Sequence, residues 1–553
     1  MTDEDQTVAP VKVSRARKRA KGAPTHVVSW PLRPDRGQIA LIELRLRAGL
    51  RVQNACLQEA LSRSNRVKTD PAWLGVTAMP RASKEQKTAR AIAFKELEVR
   101  HGFTPYALMS YASSLRVSWV REQVLSQEAQ VLGRTAFRAS ADWHYGQRGR
   151  PRFKSVRRGI RSLSGKDLCG SLRPKLVDGV LASFQFGAHT QIKFAPAASQ
   201  GRKGREQQEN WAALTGHVAG GRVLSCRIVK TVISGRPTYR AQFTIDGLPP
   251  ARHEIGSAKV SIDLGPSQVA VAVLDTAGTT NVHEWKLADG IDMQTKALRR
   301  LQRRFDRQHR AGSPTCFNAD GTHVKNRCDW KQRSHRALAT AVQIADAHRK
   351  TAGHRLTLHG TMVNNILRHG GQVSAEKLNY VSWQKNFPRS VRDRAPGLFM
   401  EILRRKAGSA DDSGLYEYSA WTTALSQTCV CGNRKRKHLS ERVHTCDCGV
   451  RVGRDRMSAY LGLFVSPVHN PGTDETVDLL DLGQAQTHWA RRNDISGRLS
   501  SEPPTKRQGS RRHKRQLAGP IAPSIAATGT RQSRSARTIA HHPPMAPPPA
   551  GRQ

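Results

Sequence analysis

Two short apolar runs joined by a Gly-Pro turn constrain the fold of this 553-residue chain more than any other feature. The first run is Val260–Leu264 and the second is Val269–Leu274, with Gly265 and Pro266 between them. Runs of this length, rich in β-branched residues and bounded by Gly and Pro, predict a buried β-hairpin. Asp263 lies inside the first strand, where an ionised carboxylate is costly unless a metal ion or a donor pairs with it. The alternative is that Asp263 hydrogen-bonds the turn.

The net charge bounds the kind of partner that the chain can have. It is +48, from 91 Lys and Arg against 43 Asp and Glu. Such an excess of one sign opposes a compact monomer by self-repulsion, so a polyanion such as nucleic acid is the expected partner. No apolar run approaches the ~20 residues that cross a bilayer, and the acidic start, Met1–Gln6, does not resemble a signal peptide. We therefore expect a cytoplasmic protein that does not bind membranes.

The hydrophobic pattern changes along the chain. Residues 1–25 and 496–553 are basic and lack a periodic apolar pattern, which predicts a disordered arm and a disordered tail. Helical spacing recurs up to about residue 144, and alternating strands and turns follow to about residue 254, which predicts a small antiparallel β-barrel. Its predicted loops are basic and could contact RNA backbone or be ordinary charged loops. The basic residues in them are Arg202, Lys203, Arg205 and Arg222.

Two strongly basic helices follow the Asp263 hairpin. They are predicted at about 296–310 and 331–368, and a short strand that ends at Glu376 comes after them. The pair could hold a nucleic-acid backbone, or its charges could simply be solvated.

Four of the nine cysteines form two closely spaced pairs, each followed by Gly. They are Cys429, Cys431, Cys446 and Cys448. Two such pairs are typical of knuckles that close on one tetrahedral zinc ion, with redox thiols as the alternative. Each pair has one intervening residue where knuckles usually have two, so His438 or His444 could replace a thiolate. The scattered cysteines do not predict a disulfide framework and are expected to be small buried hydrophobes.

Asp455 opens an apolar helix just after the cysteine pairs. An Asp at a helix start is commonly an N-cap, and that alternative stays open from this segment alone.

The order of these features resembles the RuvC-type nuclease half of transposon-encoded TnpB proteins and compact type V CRISPR effectors. Asp263 in Ser-Ile-Asp-Leu-Gly matches the first motif of these families, and Glu376 in Ala-Glu-Lys-Leu-Asn matches the second. Asp455 in Gly-Arg-Asp-Arg-Met-Ser-Ala matches the third, which departs from the usual Asp-Arg-Asp followed by Asn-Ala. The resemblance spans about 145–465 and includes the stretch Gly-Arg-Pro-Arg-Phe-Lys at 149–154.

This resemblance implies a multidomain α+β fold with a helical recognition domain, a small antiparallel β-barrel called the wedge, and a RuvC/RNase H-like α/β nuclease domain with an inserted zinc ribbon. The implied boundaries, between the arm and the tail, are 26–48 and 145–254 for the wedge, 49–144 for the recognition domain, 255–424 and 451–495 for the nuclease domain, and 425–450 for the zinc ribbon.

The function that the resemblance implies is RNA-guided cleavage of double-stranded DNA beside a short adjacent motif, by a monomer or homodimer on one guide RNA. Asp263, Glu376 and Asp455 would be catalytic and would bind Mg²⁺, as a pair of ions, while the four paired cysteines would bind structural Zn²⁺. Two alternatives stay open. One is a guided DNA-binding effector that silences without cleavage, and the other is a guide-independent transposase or resolvase.

Overall fold

The computed structural model describes residues 23–492, apart from ten short gaps. The gaps are 118, 157–158, 166–171, 188, 198–199, 250–252, 325–331, 412, 439 and 471–474. The predicted disordered tail and all but the last residues of the predicted arm lie outside the described residues.

A seven-stranded antiparallel sheet forms the core of the first half of the chain, in the order β2-β6-β7-β1-β5-β4-β3. Its two edge strands, β2 and β3, do not pair with each other among the described residues, so the predicted small antiparallel barrel is present as a half-barrel sheet. Its strands are β1 (Thr25–Arg33), β2 (Ser162–Ser164), β3 (Leu172–Val177), β4 (Val180–Phe186), β5 (Thr190–Phe194), β6 (Val223–Ile233) and β7 (Arg236–Asp246).

The chain between β1 and β2 forms helices, and several of these helices share the core of this sheet. The helices are α1 (Arg36–Thr69), α2 (Ala72–Ala78), α3 (Lys84–Arg100), α4 (Pro105–Ser114), α5 (Trp119–Gln123) and α6 (Ser126–His144). Helix α1 begins after a capping box formed by Asp35 and Gln38, so the predicted boundary at 48/49 falls inside one continuous helix. A buried ion pair at 2.6 Å between Arg45 and Glu128 joins α1 to α6.

The sequence pattern missed one helix in the half-barrel region. Helix α7 spans Gly201–Ala219, where basic loops were predicted. Trp211, Leu214 and Val218 have helical spacing and pack against the first core, and this periodicity was the available signal.

A mixed five-stranded sheet organises the second half, in the order β10-β9-β8-β11-β12. Strands β8, β9 and β10 are antiparallel, whereas β8, β11 and β12 run parallel. The strands are β8 (Lys259–Leu264), β9 (Gln268–Leu274), β10 (Thr280–Lys286), β11 (Val373–Glu376) and β12 (Leu415–Tyr418). The helices are α8 (Asp292–Gly312), α9 (His335–His369), α10 (Tyr380–Asn386), α11 (Pro388–Arg394) and α12 (Pro396–Ala410). The predicted Asp263 hairpin and basic helices are therefore present, with shifted helix starts.

Side chains alternate between the two faces of this sheet along each strand. The two faces therefore pack into two different cores. Val260 and Ile262 on one face join a core with residues of α9 and α12. Ala270, Ala272 and Tyr418 on the other face pack in a separate core.

The last described elements follow β12. They are α13 (Ala420–Thr423), β13 (Val443–Thr445), β14 (Arg451–Gly453), α14 (Arg454–Gly462), β15 (Val465–Asn470), β16 (Glu475–Leu480) and α15 (Leu482–Trp489). Helix α14 packs on the small-residue face of the mixed sheet through buried residues such as Ala459 and Leu461. No helix in the described part of the chain is both long and apolar enough to cross a membrane.

The scattered cysteines follow the prediction only in part. Cys56 and Cys226 are buried free thiols, as expected. Cys316 is buried but takes part in a disulfide, which corrects the expectation of a reduced hydrophobe at this position. Cys169 and Cys328 lie outside the described residues.

Candidate active site and metal centre

Strands β8 and β11 place Asp263 beside Glu376. The parallel register pairs Val373 with Val260 and Ala375 with Ile262, and its continuation sets Glu376 opposite Asp263. Paired residues on neighbouring strands point to the same face and lie about 4.8 Å apart. Both carboxylates therefore belong to the face that α14 covers.

Helix α14 presents Asp455 to the same face. The N-cap of this helix is Gly453, without a side-chain cap hydrogen bond, and Asp455 is the second helical residue. The N-cap alternative for Asp455 is therefore wrong. Residues three and four apart share a helix face, so Ser458 and Gly462 lie on the side of Asp455.

Gly462 allows α14 to approach the sheet closely. A Cβ atom at this position would lie 2.2 Å from Ser261 Oγ and 2.6 Å from the Tyr418 hydroxyl. In addition, the Ser374 hydroxyl donates a hydrogen bond of 2.9 Å to the Gly462 carbonyl. These contacts hold α14 closely against the sheet face that carries Asp263 and Glu376.

The electrostatics indicate that the three carboxyl groups are neighbours. Asp263 is partly exposed at one surface but enclosed by protein elsewhere, and this burial raises its pKa well above the usual value. The charges of Asp455 and then Glu376 raise the pKa of Asp263 further, while Arg454 lowers it. Burial also raises the pKa of Glu376. Like charges in one site disfavour ionisation, so a cation would stabilise this cluster.

Asp455 has three polar neighbours from separate segments. The Gln268 amide donates a hydrogen bond of 3.2 Å to Asp455 Oδ2. Arg442 lies 3.7 Å from the same oxygen, and the Arg454 guanidinium lies 3.5 Å from Oδ1. Gln268 begins β9, so the β8–β9 hairpin contributes to the position of two carboxylates.

Tyr418 lies beside the acidic cluster. It lies on β12, where it is buried and pairs in register with Glu376 of β11. Burial raises its pKa well above the usual range, and the charges of Glu376 and Asp263 raise it further. The phenol is therefore neutral, and its hydroxyl adds no charge to the site.

The carboxylates are close but not packed to metal-ligating distance. Among the described residues, the group of His, Cys, Asp or Glu ligand atoms lying within 4.8 Å of one another is the four paired cysteines. Carboxylate oxygens are the ligands that Mg²⁺ prefers, so Asp263, Glu376 and Asp455 fit a Mg²⁺ site by their chemistry.

The cysteine cluster has the dimensions of a zinc site. Cys429 Sγ lies 3.6 Å from Cys448 Sγ, and Cys431 Sγ lies 3.5 Å from Cys446 Sγ. Tetrahedral Zn–S bonds of about 2.3 Å would place the sulfur atoms about 3.8 Å apart. The four cysteine sulfur atoms could therefore bind one structural Zn²⁺ ion.

Both cysteine pairs adopt one backbone geometry. Gly432 N–H donates to the Cys429 carbonyl over 2.9 Å, and Gly449 N–H donates to the Cys446 carbonyl over 3.0 Å. Both glycines have φ near +88°, a conformation that other residues rarely adopt. In the second pair, the backbone N–H of Cys448 lowers the pKa of Cys446 to about 7, which favours the metal-binding thiolate.

Neither histidine near the cysteines belongs to the cluster. The His444 ring lies against Lys437, and His438 hydrogen-bonds Ser440 over 2.7 Å. The shortened spacing therefore needs no imidazole substitute.

Helix α8 carries a stripe of exposed arginines, as the predicted basic helix suggested. The stripe consists of Arg300, Arg303, Arg304, Arg307 and Arg310. This spacing keeps all five on one face, which suits a phosphate backbone.

The sequence reasoning missed several residues of the site. Gln268, Tyr418, Ser458 and Arg442 had no motif to mark them, since their roles depend on register and on where the ribbon folds. The Tyr-Glu-Tyr alternation at 416–418 was the one available signal of a half-buried strand.

The chain matches no protein-family profile and no curated protein. Among solved structures it is similar to a Cas12f1–sgRNA–target DNA complex, at 12% identity and a TM-score of 0.40, covering 79% of this chain and 98% of that chain. It is also similar to a CRISPR-Cas12f ternary complex, at 12% identity and a TM-score of 0.27, covering 80% of this chain and 83% of that chain.

Proposed function

We propose that this chain is an RNA-guided DNA endonuclease whose single active site consists of Asp263, Glu376 and Asp455. The observation that carries the proposal is the convergence of three carboxylates, from β8, β11 and α14, on one partly exposed face. The charges of Asp455 and Glu376 add to burial in raising the pKa of Asp263, and a site of three acidic groups is costly without a cation, an arrangement found where function requires it.

The donor set indicates metal-assisted phosphodiester hydrolysis. Bound Mg²⁺ would activate water and stabilise the leaving oxygen, the chemistry that paired ions about 4 Å apart supply in nucleases. Asp263 and Glu376 would hold the ions from rigid strands, and Asp455 would complete the site from α14. Gln268 would keep Asp455 oriented toward the sheet.

The guide-dependent part of the proposal rests on the motif resemblance and on charge. The positive excess suits a guide–target heteroduplex, in which about 20 base pairs carry roughly 40 phosphates. The arginine stripe of α8 offers a surface for that backbone. Base pairing would then supply the sequence specificity.

The test uses the protein purified with its copurifying RNA. After that RNA is sequenced, the complex is incubated with a plasmid that carries the matching target and a randomised flank, with Mg²⁺ or with EDTA. We expect Mg²⁺-dependent cleavage beside an enriched flank. Asp263→Ala and Glu376→Ala should abolish cleavage and leave guided binding nearly intact.

Two other outcomes would replace the proposal. Enriched binding without cleavage would identify a binding-only effector, for which the engagement of Asp455 by Arg442 and Arg454 would be the structural reason. Purification without RNA, together with specific binding to duplex ends, would identify a guide-independent transposase or resolvase.

A further inference from the structure

Trp421 is the most exposed large apolar side chain among the described residues. Its side chain is 92% exposed, although an indole usually buries most of its area. It lies on α13, three residues after Tyr418, which is the register partner of Glu376. Three residues span at most about 11 Å, so Trp421 is close to the candidate active site.

The backbone that carries Trp421 is held rigidly. Asp478 on β16 accepts a hydrogen bond of 2.7 Å from the Ser419 N–H and also binds the Tyr416 hydroxyl. The Ser419 hydroxyl then accepts a hydrogen bond of 3.3 Å from the backbone N–H of Trp421. Thr423, on the other side of the helix turn, is buried and donates to the Ser419 carbonyl over 2.9 Å. The indole is thus presented to solvent by an anchored turn rather than by a loose loop.

Cations without an ion-pair partner among the described residues line a segment that folds back against residues 427–428, four to five residues after α13 ends. Arg434 bridges Thr428, and the Lys435 N–H donates to the Gln427 carbonyl over 2.9 Å. The side chains of Arg434, Lys435 and Arg436 are exposed and have no ion-pair partner among the described residues. An aromatic face beside a basic track is the arrangement with which proteins hold single-stranded nucleic acid.

We propose that Trp421 stacks an unpaired base of the DNA strand that enters the active site, while Arg434, Lys435 and Arg436 contact its phosphates. Trp421 is then a positioning residue, because it acts on the strand near the scissile phosphate and not on the reacting atoms. The inference rests on the proposed function for the identity of the strand, and its occupant is a nucleobase of any sequence, since every base has a π-face.

The experiment uses the full-length complex with its copurifying RNA and a matching DNA target in which 2-aminopurine replaces single bases along each strand. Fluorescence is read in the Asp263→Ala background, so that stacking is measured without cleavage. We expect quenching at one or two positions, and Trp421→Ala should restore the fluorescence there. Trp421→Phe should keep the quenching. The matched control is Leu479→Ala, which truncates another exposed apolar side chain on neighbouring β16.

Cleavage by the otherwise wild-type protein gives a second readout. Stacking of one base accounts for an effect between about fivefold and about a hundredfold, so Trp421→Ala should slow cleavage about tenfold with nearly unchanged guided binding, and Trp421→Phe should restore most of the rate. The inference is overturned if Trp421→Ala changes neither the quenching nor the cleavage rate. A changed oligomeric state in Trp421→Ala without a fluorescence change also overturns it, because the indole would then contact protein.

The two proposals fail in different ways. If the wild-type complex does not cut with Mg²⁺ but the quenching depends on Trp421, the stacking site stands and the nuclease proposal falls. If Asp263→Ala abolishes cutting but nothing responds to Trp421→Ala, the nuclease proposal stands and this inference falls.

Discussion

Gln268 donates a hydrogen bond of 3.2 Å to Asp455 across 187 residues of sequence. The contact joins the start of β9 to the first turn of α14, so the hairpin that carries Asp263 also orients the third carboxylate. Partners of this kind, which orient a metal ligand without touching the metal, typically change metal affinity or activity by 10–100-fold.

Replacing Gln268 by Ala should therefore slow cleavage about tenfold and leave it Mg²⁺-dependent. The expected defect is a higher Mg²⁺ concentration for half-maximal rate, with recovery at high Mg²⁺. Gln268→Glu should be slower than Gln268→Ala at low Mg²⁺, because it adds a fourth negative charge. A metal titration of the cleavage rate checks both, and an unchanged titration for both variants would show that Asp455 needs no such support.

Asp263→Asn should stabilise the protein in EDTA. The native pKa of Asp263 is raised, so the native state binds a proton that the unfolded state, with a pKa near 3.9, has already lost. The native state therefore loses stability as the pH rises from about 4 through the raised pKa, by about 1.4 kcal/mol for each pH unit between the unfolded and the native pKa. The variant lacks this loss.

Thermal unfolding in EDTA between pH 4 and pH 8 measures this difference. The gap in Tm between Asp263→Asn and wild type should widen with pH, and Mg²⁺ should narrow it by stabilising the wild type. A variant that melts below wild type at neutral pH would contradict the repulsion argument.

The four-cysteine cluster should hold one Zn²⁺ per chain. Cys431→Ser and Cys446→Ser should each lower the zinc content, because the ion needs all four thiolates. Cys56→Ala is the matched control, since Cys56 is a buried thiol outside the cluster. Elemental analysis of the purified protein gives the zinc content. If the wild type contains no zinc, the zinc-site prediction is wrong and the alternative of redox thiols is favoured.

Gly462→Ala should destabilise the protein by about 1–3 kcal/mol, the usual cost of overpacking a core. The new methyl group would meet Ser261 and Tyr418 at distances below van der Waals contact. Gly353→Ala on the exposed side of α9, where nothing lies within 4 Å, should instead be neutral or stabilising by about 1 kcal/mol. Denaturant unfolding compares the pair, and equal stabilities would mean that α14 moves freely away from the sheet.

Reversing two arginines of the α8 stripe, Arg303→Glu and Arg307→Glu, should weaken guided binding and lower its salt dependence. Each lost phosphate contact reduces the slope of log affinity against log salt by about 0.9. Arg349→Gln on α9 is the control, because Arg349 is paired with Asp346 at 2.8 Å. Binding measured from about 50 to about 200 mM salt tests this, and unchanged slopes would mean that the stripe is solvated.

The sequence predicted those parts of the site that local patterns encode. The two β-branched runs on either side of Gly265 and Pro266 predicted the strand and hairpin of Asp263, and Gly punctuation predicted the strand that ends at Glu376. The convergence of these residues with Asp455 came from family resemblance, because no local pattern specifies which strands become neighbours. The close packing at Gly462 and the exposure of Trp421 could not be predicted from the sequence for the same reason. Both depend on which surfaces the tertiary fold covers.

The parallel pairing of β8 with β11 has a consequence for how such a chain can change over time. Glu376 lies beside Asp263 because the two strands share a register, and the chain between β10 and β11 leaves the sheet through α8 and α9 before it returns. The register does not depend on the length of the segment between β10 and β11. Insertions and deletions there can therefore reshape the surface formed by α8 and α9 while the pairing of Asp263 with Glu376 is inherited unchanged.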